Sequence, residues 1–168
     1  MKNTGSGKGA KTFEWLDVTI LSSGAELRIP LHKIAGSKDG PKLGILATSH
    51  GDEPLAIEIL RRFVNEIELG NLKGSILIIP VENPLAFEWC TRGTPLDMLN
   101  LNRSFPGKPE GFISEKMAHV ISESFFSNID YLIDLHAGTA DFTVDYTYMV
   151  NDEDLAKAFG SQALIRGV

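Results

Sequence analysis

The sequence predicts an α/β fold: a mixed, largely parallel sheet with helices on both faces, entered through an N-terminal β-hairpin. Three observations carry this. Short apolar runs at 43–48, 75–79 and 131–135 are bounded by turn residues, as buried parallel strands are. Stretches of helical period at 54–68 and 113–126 lie between or beside them. Ahead of the first run, residues 13–21 and 26–33 flank Ser22-Ser23-Gly24, the pattern of an antiparallel hairpin. Strands alternating with helices build a sheet covered on both faces.

Residues 1–12 are polar and rich in Gly and Lys, and read as a flexible leader. Within them Gly5 to Thr12 approaches a phosphate-loop pattern, but Ala10 stands where the second glycine belongs and no strand precedes it. In the hairpin, Pro30 places the second strand at an edge or bulge. The run 43–48 follows Gly40-Pro41 and leads into Ser49-His50-Gly51. In the next segment Leu55, Ile59, Leu60, Phe63, Val64 and Ile67 share one helical face, with Pro54 suited to the first turn. After the strand at 75–79 comes a long polar stretch from 82 to 111, of a length that in a compact domain is functional or disordered. Ile113, Met117, Val120, Ile121 and Phe125 restore helical spacing, with Ser114 available as a cap. The strand at 131–135 ends in His136; a fourth strand at 143–150, a helix at 152–159 and a further element opening at 163–165, with no partner evident, complete the chain.

At 168 residues, 43% hydrophobic and 23% charged, the chain suits one soluble domain over 13–168. Its last element leaves that domain C-terminally incomplete by expectation. No apolar run approaches the roughly 18 residues that cross a bilayer. The single cysteine, Cys90, excludes an internal disulfide framework and a multi-cysteine zinc site, and nothing beside it activates a thiolate. A reducing, cytoplasmic setting is expected. A net charge of −6 lacks the basic footprint of nucleic-acid binding. The expected partner is a small molecule, not nucleic acid or membrane.

In an open α/β sheet, ligands bind at the carboxyl ends of the strands. Two of the three apolar runs end in a histidine there. His50 and Glu53 sit three residues apart at a strand-to-helix turn, and a neighbouring strand delivers His136. Two imidazoles and a carboxylate with an open fourth position are the ligand set of a hydrolytic zinc site. The same spacing also arises by chance, and by itself does not decide. His32, in the hairpin, and His119, on a helix, read as surface or hydrogen-bonded residues. Arg61 and Arg62 read as solvated surface charge.

The long stretch adds Asn83-Pro-Leu-Ala-Phe87, Thr91-Arg92-Gly93 and Asn100-Leu-Asn-Arg-Ser-Phe-Pro-Gly107. With H-G-D-E at 50–53 and D-L-H at 134–136, the sequence resembles the succinylglutamate desuccinylase/aspartoacylase family of the zinc carboxypeptidase-like superfamily. The five blocks occur in order between residues 44 and 138. The resemblance implies a zinc-peptidase-like hydrolase fold and zinc-dependent hydrolysis of a small N-acylated amino acid or related amide. It makes His50, Glu53 and His136 the ligands of one Zn²⁺ per chain, Arg92 the group that polarises the scissile carbonyl, and Asn102 with Arg103 the grip on the substrate carboxylate. The roles are chemically apt: a guanidinium takes a carboxylate bidentately, and one beside the metal stabilises an oxyanion.

Two departures accompany the resemblance. Many relatives have Asp-Leu-Asn-Arg where this chain has Asn100-Leu-Asn-Arg103; the Asn100 amide still accepts the N–H of the first histidine but brings no charge, and it points to the predicted-deacylase branch. The family's catalytic glutamate is expected beyond residue 168, and Glu153 does not replace it. The alternatives are a non-catalytic or truncated metal-binding domain of the same fold, and a metallocarboxypeptidase.

Overall fold

The computed structural model describes residues 9–138 and 145–166. They separate into two compact units, one running to Ala137 and one from Gly138 onward.

The first unit contains β1 (Ala10–Ile20), β2 (Glu26–Ala35), β3 (Lys38–Ala47), α1 (Leu55–Glu66), β4 (Lys73–Ile79), α2 (Pro84–Glu88), α3 (Ile113–Ser124) and β5 (Tyr131–Leu135). Its sheet has the order β1-β2-β4-β3-β5. β1 and β4 both run antiparallel to β2, while β4 and β5 run parallel to β3. The sheet is thus mixed as expected, and its parallel part carries the histidine-bearing strand ends.

Alternation along these strands divides the core. Ile45, Ala47, Ile76 and Ile78 face α1 through Ala56 and Leu60. Leu46, Leu77 and Ile79 face α3 through Met117, Ala118, Ile121 and Phe125. A side-chain period of two on the strands meets a period near four on each helix, so both faces are covered. Gly44 lets the sheet lie close to α3, since a Cβ there would press on the Phe125 ring and on Ile129.

Four details correct the sequence reading. β1 begins at Ala10, inside the stretch read as leader, and Lys11 Nζ donates to the Val64 carbonyl at the end of α1. β2 is interior, not an edge. Pro30 is tolerated because the ladder with β4 spans only His32 to Ala35, so its missing N–H disrupts nothing on that side, and the irregularity falls instead at Asp17/Thr19 of β1. Ser114 does not cap α3: the Glu115 carboxylate accepts the Phe112 N–H, and Asp97 accepts the Ser114 N–H. β5 is an edge of this sheet, with Tyr131 and Leu132 exposed.

In the second unit, β6 (Tyr146–Met149), α4 (Glu153–Phe159) and β7 (Ala163–Arg166) form a β-α-β unit with parallel strands. The Asp152 carboxylate caps α4 by accepting the Leu155 N–H, and Gly160 ends it at φ 84°. The element opening at 163 therefore has a partner, β6, which the sequence reading left unpaired. Residues 143 and 144 of the strand expected there lie outside the described residues.

Candidate metal centre

β3 leads to α1 on one face of the sheet, and the chain returns through β4 and α3 to β5 on the other side of β3. The connections leaving β3 and β4 thus diverge to opposite faces, which opens a crevice at the strand ends. His50 and Glu53 lie on the turn after β3, and His136 directly follows β5. Thr48, at the start of that turn, holds φ 59°, a left-handed conformation that a β-branched residue rarely adopts. Strain of this kind concentrates at functional turns.

His50 and Glu53 are 2% and 5% exposed. His50 Nδ1 lies 2.9 Å from Glu53 Oε1, and His136 Nδ1 lies 2.9 Å from Glu53 Oε2. The ring centroids are 5.0 Å apart. Each outer ring nitrogen has an oxygen partner: His50 Nε2 with Asn100 Oδ1 at 3.3 Å, His136 Nε2 with Asp134 Oδ2 at 3.1 Å. An amide oxygen and a carboxylate only accept, so Asn100 and Asp134 are placed to hold the outer N–H of each ring, with Nδ1 turned toward Glu53. Two Nδ1 atoms and a carboxylate converge on one region, where the rings donate to Glu53 while Nδ1 carries a proton and can ligate a cation once it does not.

The protonation of His136 shows the same pull. The hydrogen bond to Asp134, and then the charges of Asp134 and Glu53, raise its pKa to about 9 against the desolvation of its ring. One donor atom from each of His50, Glu53 and His136 can be chosen with all three within 4.8 Å of one another. Imidazole and carboxylate donors suit Zn²⁺, and outward-facing N–H groups held by oxygens are how metal-binding imidazoles are oriented. The residues fit the metal.

The long polar stretch supplies the surround. Asn83 Oδ1 accepts the Ala86 N–H, starting α2 behind Pro84, while its Nδ2 donates to Thr94 Oγ1. Ser114 Oγ donates to Thr94 Oγ1, tying this segment to α3. The Gly51 N–H donates to the Thr91 carbonyl. Arg92 consequently sits beside the turn, Nη1 3.5 Å from Glu53 Oε1, with its side chain largely exposed. Asn100 Oδ1 also accepts the Asn102 N–H, so one amide orients His50 and starts the 3₁₀ turn Leu101–Arg103. On that turn Asn102 Nδ2 lies 3.4 Å from His136 Nε2. Arg103 is exposed, and its Nη1 donates to the Asn102 carbonyl.

The structure therefore gathers His50, Glu53, His136, Arg92, Asn100 and Asn102, and sets Arg103 at the rim of the same turn. His32 belongs to the hairpin, where burial lowers its pKa, and Arg61 and Arg62 pair with Glu58. Two residues escaped the sequence reading. Asp134 was readable: two positions before His136 on a strand places it on the same face. Glu82, 1% exposed beside the crevice, had no such signal.

Residues 39–165 match the model of the succinylglutamate desuccinylase/aspartoacylase catalytic domain. The chain belongs to this family. A solved aspartoacylase family protein from Mesorhizobium loti superposes with a TM-score of 0.80 over 98% of this chain and 55% of its own, at 27% identity. An ectoine utilization protein from Ruegeria pomeroyi, solved with product bound, gives 0.71 over 93% of this chain and 49% of its own, at 24% identity, a likeness of fold. The N-alpha-acetyl-L-2,4-diaminobutyric acid deacetylase of Halomonas elongata is 34% identical over 100 residues, covering 60% of this chain and 29% of the relative. The chain thus spans about half, or less, of the length of these family members. No helix among the described residues is long and apolar enough to cross a membrane.

Proposed function

We propose that this chain carries the metal-binding and substrate-orienting part of a zinc-dependent deacylase acting on small N-acyl amino acids. The observation that carries the reading is the convergence of His50 Nδ1, His136 Nδ1 and the Glu53 carboxylate, each imidazole steered by an oxygen behind it. Zinc held there supplies Lewis acidity and lowers the pKa of water toward 7. Arg92, beside Glu53, donates to the acyl oxygen as negative charge develops on it. Asn102 and Arg103, on one 3₁₀ turn, take the substrate carboxylate, the guanidinium through paired N–H donors. Asn100 and Asp134 hold the two rings. Similarity to a deacetylase of an N-acetylated diamino acid supports an amide between a short acyl group and an amino acid amine.

The test is zinc content and hydrolysis of N-acetyl and N-succinyl amino acids, before and after chelation. Tight zinc lost in His50→Ala and His136→Ala, with hydrolysis restored by zinc, supports the reading. Zinc content unchanged in both variants overturns it.

A second reading, a metal-binding domain without turnover, is favoured by how the nearby carboxylates are used. Asp134 is engaged with His136, and Glu82 is enclosed, so neither stands free as a base beside Arg92. Zinc binding without turnover of any N-acyl amino acid selects it. Cleavage of peptides in preference to N-acyl amino acids selects a carboxypeptidase.

A further inference from the structure

Among the described residues, five buried side-chain oxygens lack a hydrogen-bond partner, and four of them gather at the ends of β3 and β4: Thr48 Oγ1, Ser49 Oγ, Asp52 Oδ1 and Glu82 Oε1. Thr48, Ser49 and Glu82 are each 1% exposed. The two strand ends are fastened together beyond the sheet ladder, since the Glu82 N–H donates to the Ala47 carbonyl and the Asn83 N–H to the Thr48 carbonyl. Ser49 stands next to His50 on the turn, and neither its Oγ nor Glu82 Oε1 has a hydrogen-bond partner. Burial, followed by the negative charge of Asp134, pushes the Glu82 carboxyl up to about 8, with Ser49 and His136 pulling the other way. An enclosed carboxyl without a cation partner is costly, and unpartnered buried oxygens are few in native structures, so four at one place call for a role.

We propose that Glu82 is a positioning residue of the metal centre, acting through Ser49 on the turn that presents His50. Enclosed at 1% exposure, Glu82 acts from behind the turn rather than from its open face. The inference rests on the metal-centre reading above. Its force is that the segment carrying Glu82, just beyond β4, is fastened to the end of β3, the strand that leads to His50 and Glu53.

The experiment measures Zn²⁺ affinity by chelator competition, and the visible spectrum of the Co²⁺-loaded protein, for wild type, Glu82→Gln, Glu82→Leu, Ser49→Ala, Ser49→Ala with Glu82→Leu, and His50→Ala. Glu82→Gln keeps size and polar contacts and should bind Zn²⁺ within about threefold of wild type. Glu82→Leu fills the space without them and should lose about 10- to 100-fold, with an altered Co²⁺ spectrum. Ser49→Ala should weaken binding in the same direction, and the double variant should lose less than the product of the two single losses. Wild-type affinity in both Glu82→Leu and Ser49→Ala, or strictly multiplicative losses, overturns the proposal. If Glu82→Leu does not fold, Ser49→Ala with wild-type affinity and spectrum overturns it, and a loss there with Glu82→Gln unimpaired sustains it. Loss of metal in His50→Ala alone leaves the metal centre intact as a reading and removes only Glu82; retention of metal in His50→Ala removes both.

Discussion

Glu53, though buried, has partners on both carboxylate oxygens: His50 Nδ1 and the Arg92 guanidinium on one, His136 Nδ1 and the Ala137 N–H on the other. Because Asp134 and Glu53 hold a proton on His136 up to about pH 9, metal binding near neutrality has to expel that proton. Zn²⁺ affinity should therefore rise by about tenfold per pH unit between roughly 6.5 and 9 and level off above. Calorimetry in buffers of different ionisation enthalpy should find close to one proton released at pH 7.5. In Asp134→Asn the main cause of the raised pKa is gone, and that release should fall by at least half. The two arginines separate by kinetics in a hydrolysis assay. Arg92→Ala should lower kcat by about 10²–10³, the cost of removing one donor to a developing oxyanion, whereas Arg103→Ala should chiefly raise KM. Equal and small effects in both would place the two guanidiniums outside the reaction.

The turn after β3 depends on a close crossing with α2. A Cβ added to Gly51 would run into the Ala86 carbonyl and the Phe87 amide, so Gly51→Ala has to push the two segments apart. Such overpacking costs about 1–3 kcal/mol and moves His50 and Glu53 with it. A lower denaturant midpoint together with weaker Zn²⁺ binding is the expected result. Phe125 makes the opposite case. It is fully buried between α3 and β3, away from the ligands, and Phe125→Ala should cost about 3–5 kcal/mol while leaving the Zn²⁺ affinity of the folded protein unchanged. Comparing the two variants by urea unfolding and by metal titration separates packing that builds the sheet from packing that places the site.

Over the metal-free protein, Glu82 and His136 act on stability with the same sign. Each has a folded pKa above its ordinary value, from 4.5 to about 8 and from 6.5 to about 9. The folded state therefore binds more protons than the unfolded chain in both windows, and the stabilisation, complete below the lower value, is lost as pH rises through the higher one. The midpoint of metal-free wild type should fall from pH 5 to pH 8. Glu82→Gln, which cannot ionise, should flatten the part of that fall contributed between pH 4.5 and 8. The check is a set of thermal melts in chelator; equal slopes in the two proteins would show that Glu82 is solvated or already ionised. Below about pH 4 the opposite trend enters, because Arg61 and Arg62 hold Glu58 down near 2 and protonating it breaks those pairs.

The fold class was legible in the sequence, since apolar periodicity of two and near four is a local property that each segment carries wherever it lies. So was the convergence of His50, Glu53 and His136, because residues at strand ends of a parallel sheet share a crevice whatever the details of the loops. Arg92, Asn100, Asn102 and Arg103 were legible only through the resemblance of their blocks, for no local pattern says where a residue of a long loop points. Strand order lay beyond the sequence: β2 became interior and β5 an edge because pairing depends on contacts between segments far apart in the chain. The same holds for β7, whose partner β6 is recognised only once α4 folds back between them. Glu82 shows the limit most sharply. Nothing local marks the glutamate before Asn-Pro, and only the tertiary structure, by fastening the segment after β4 to the end of β3, takes away its water.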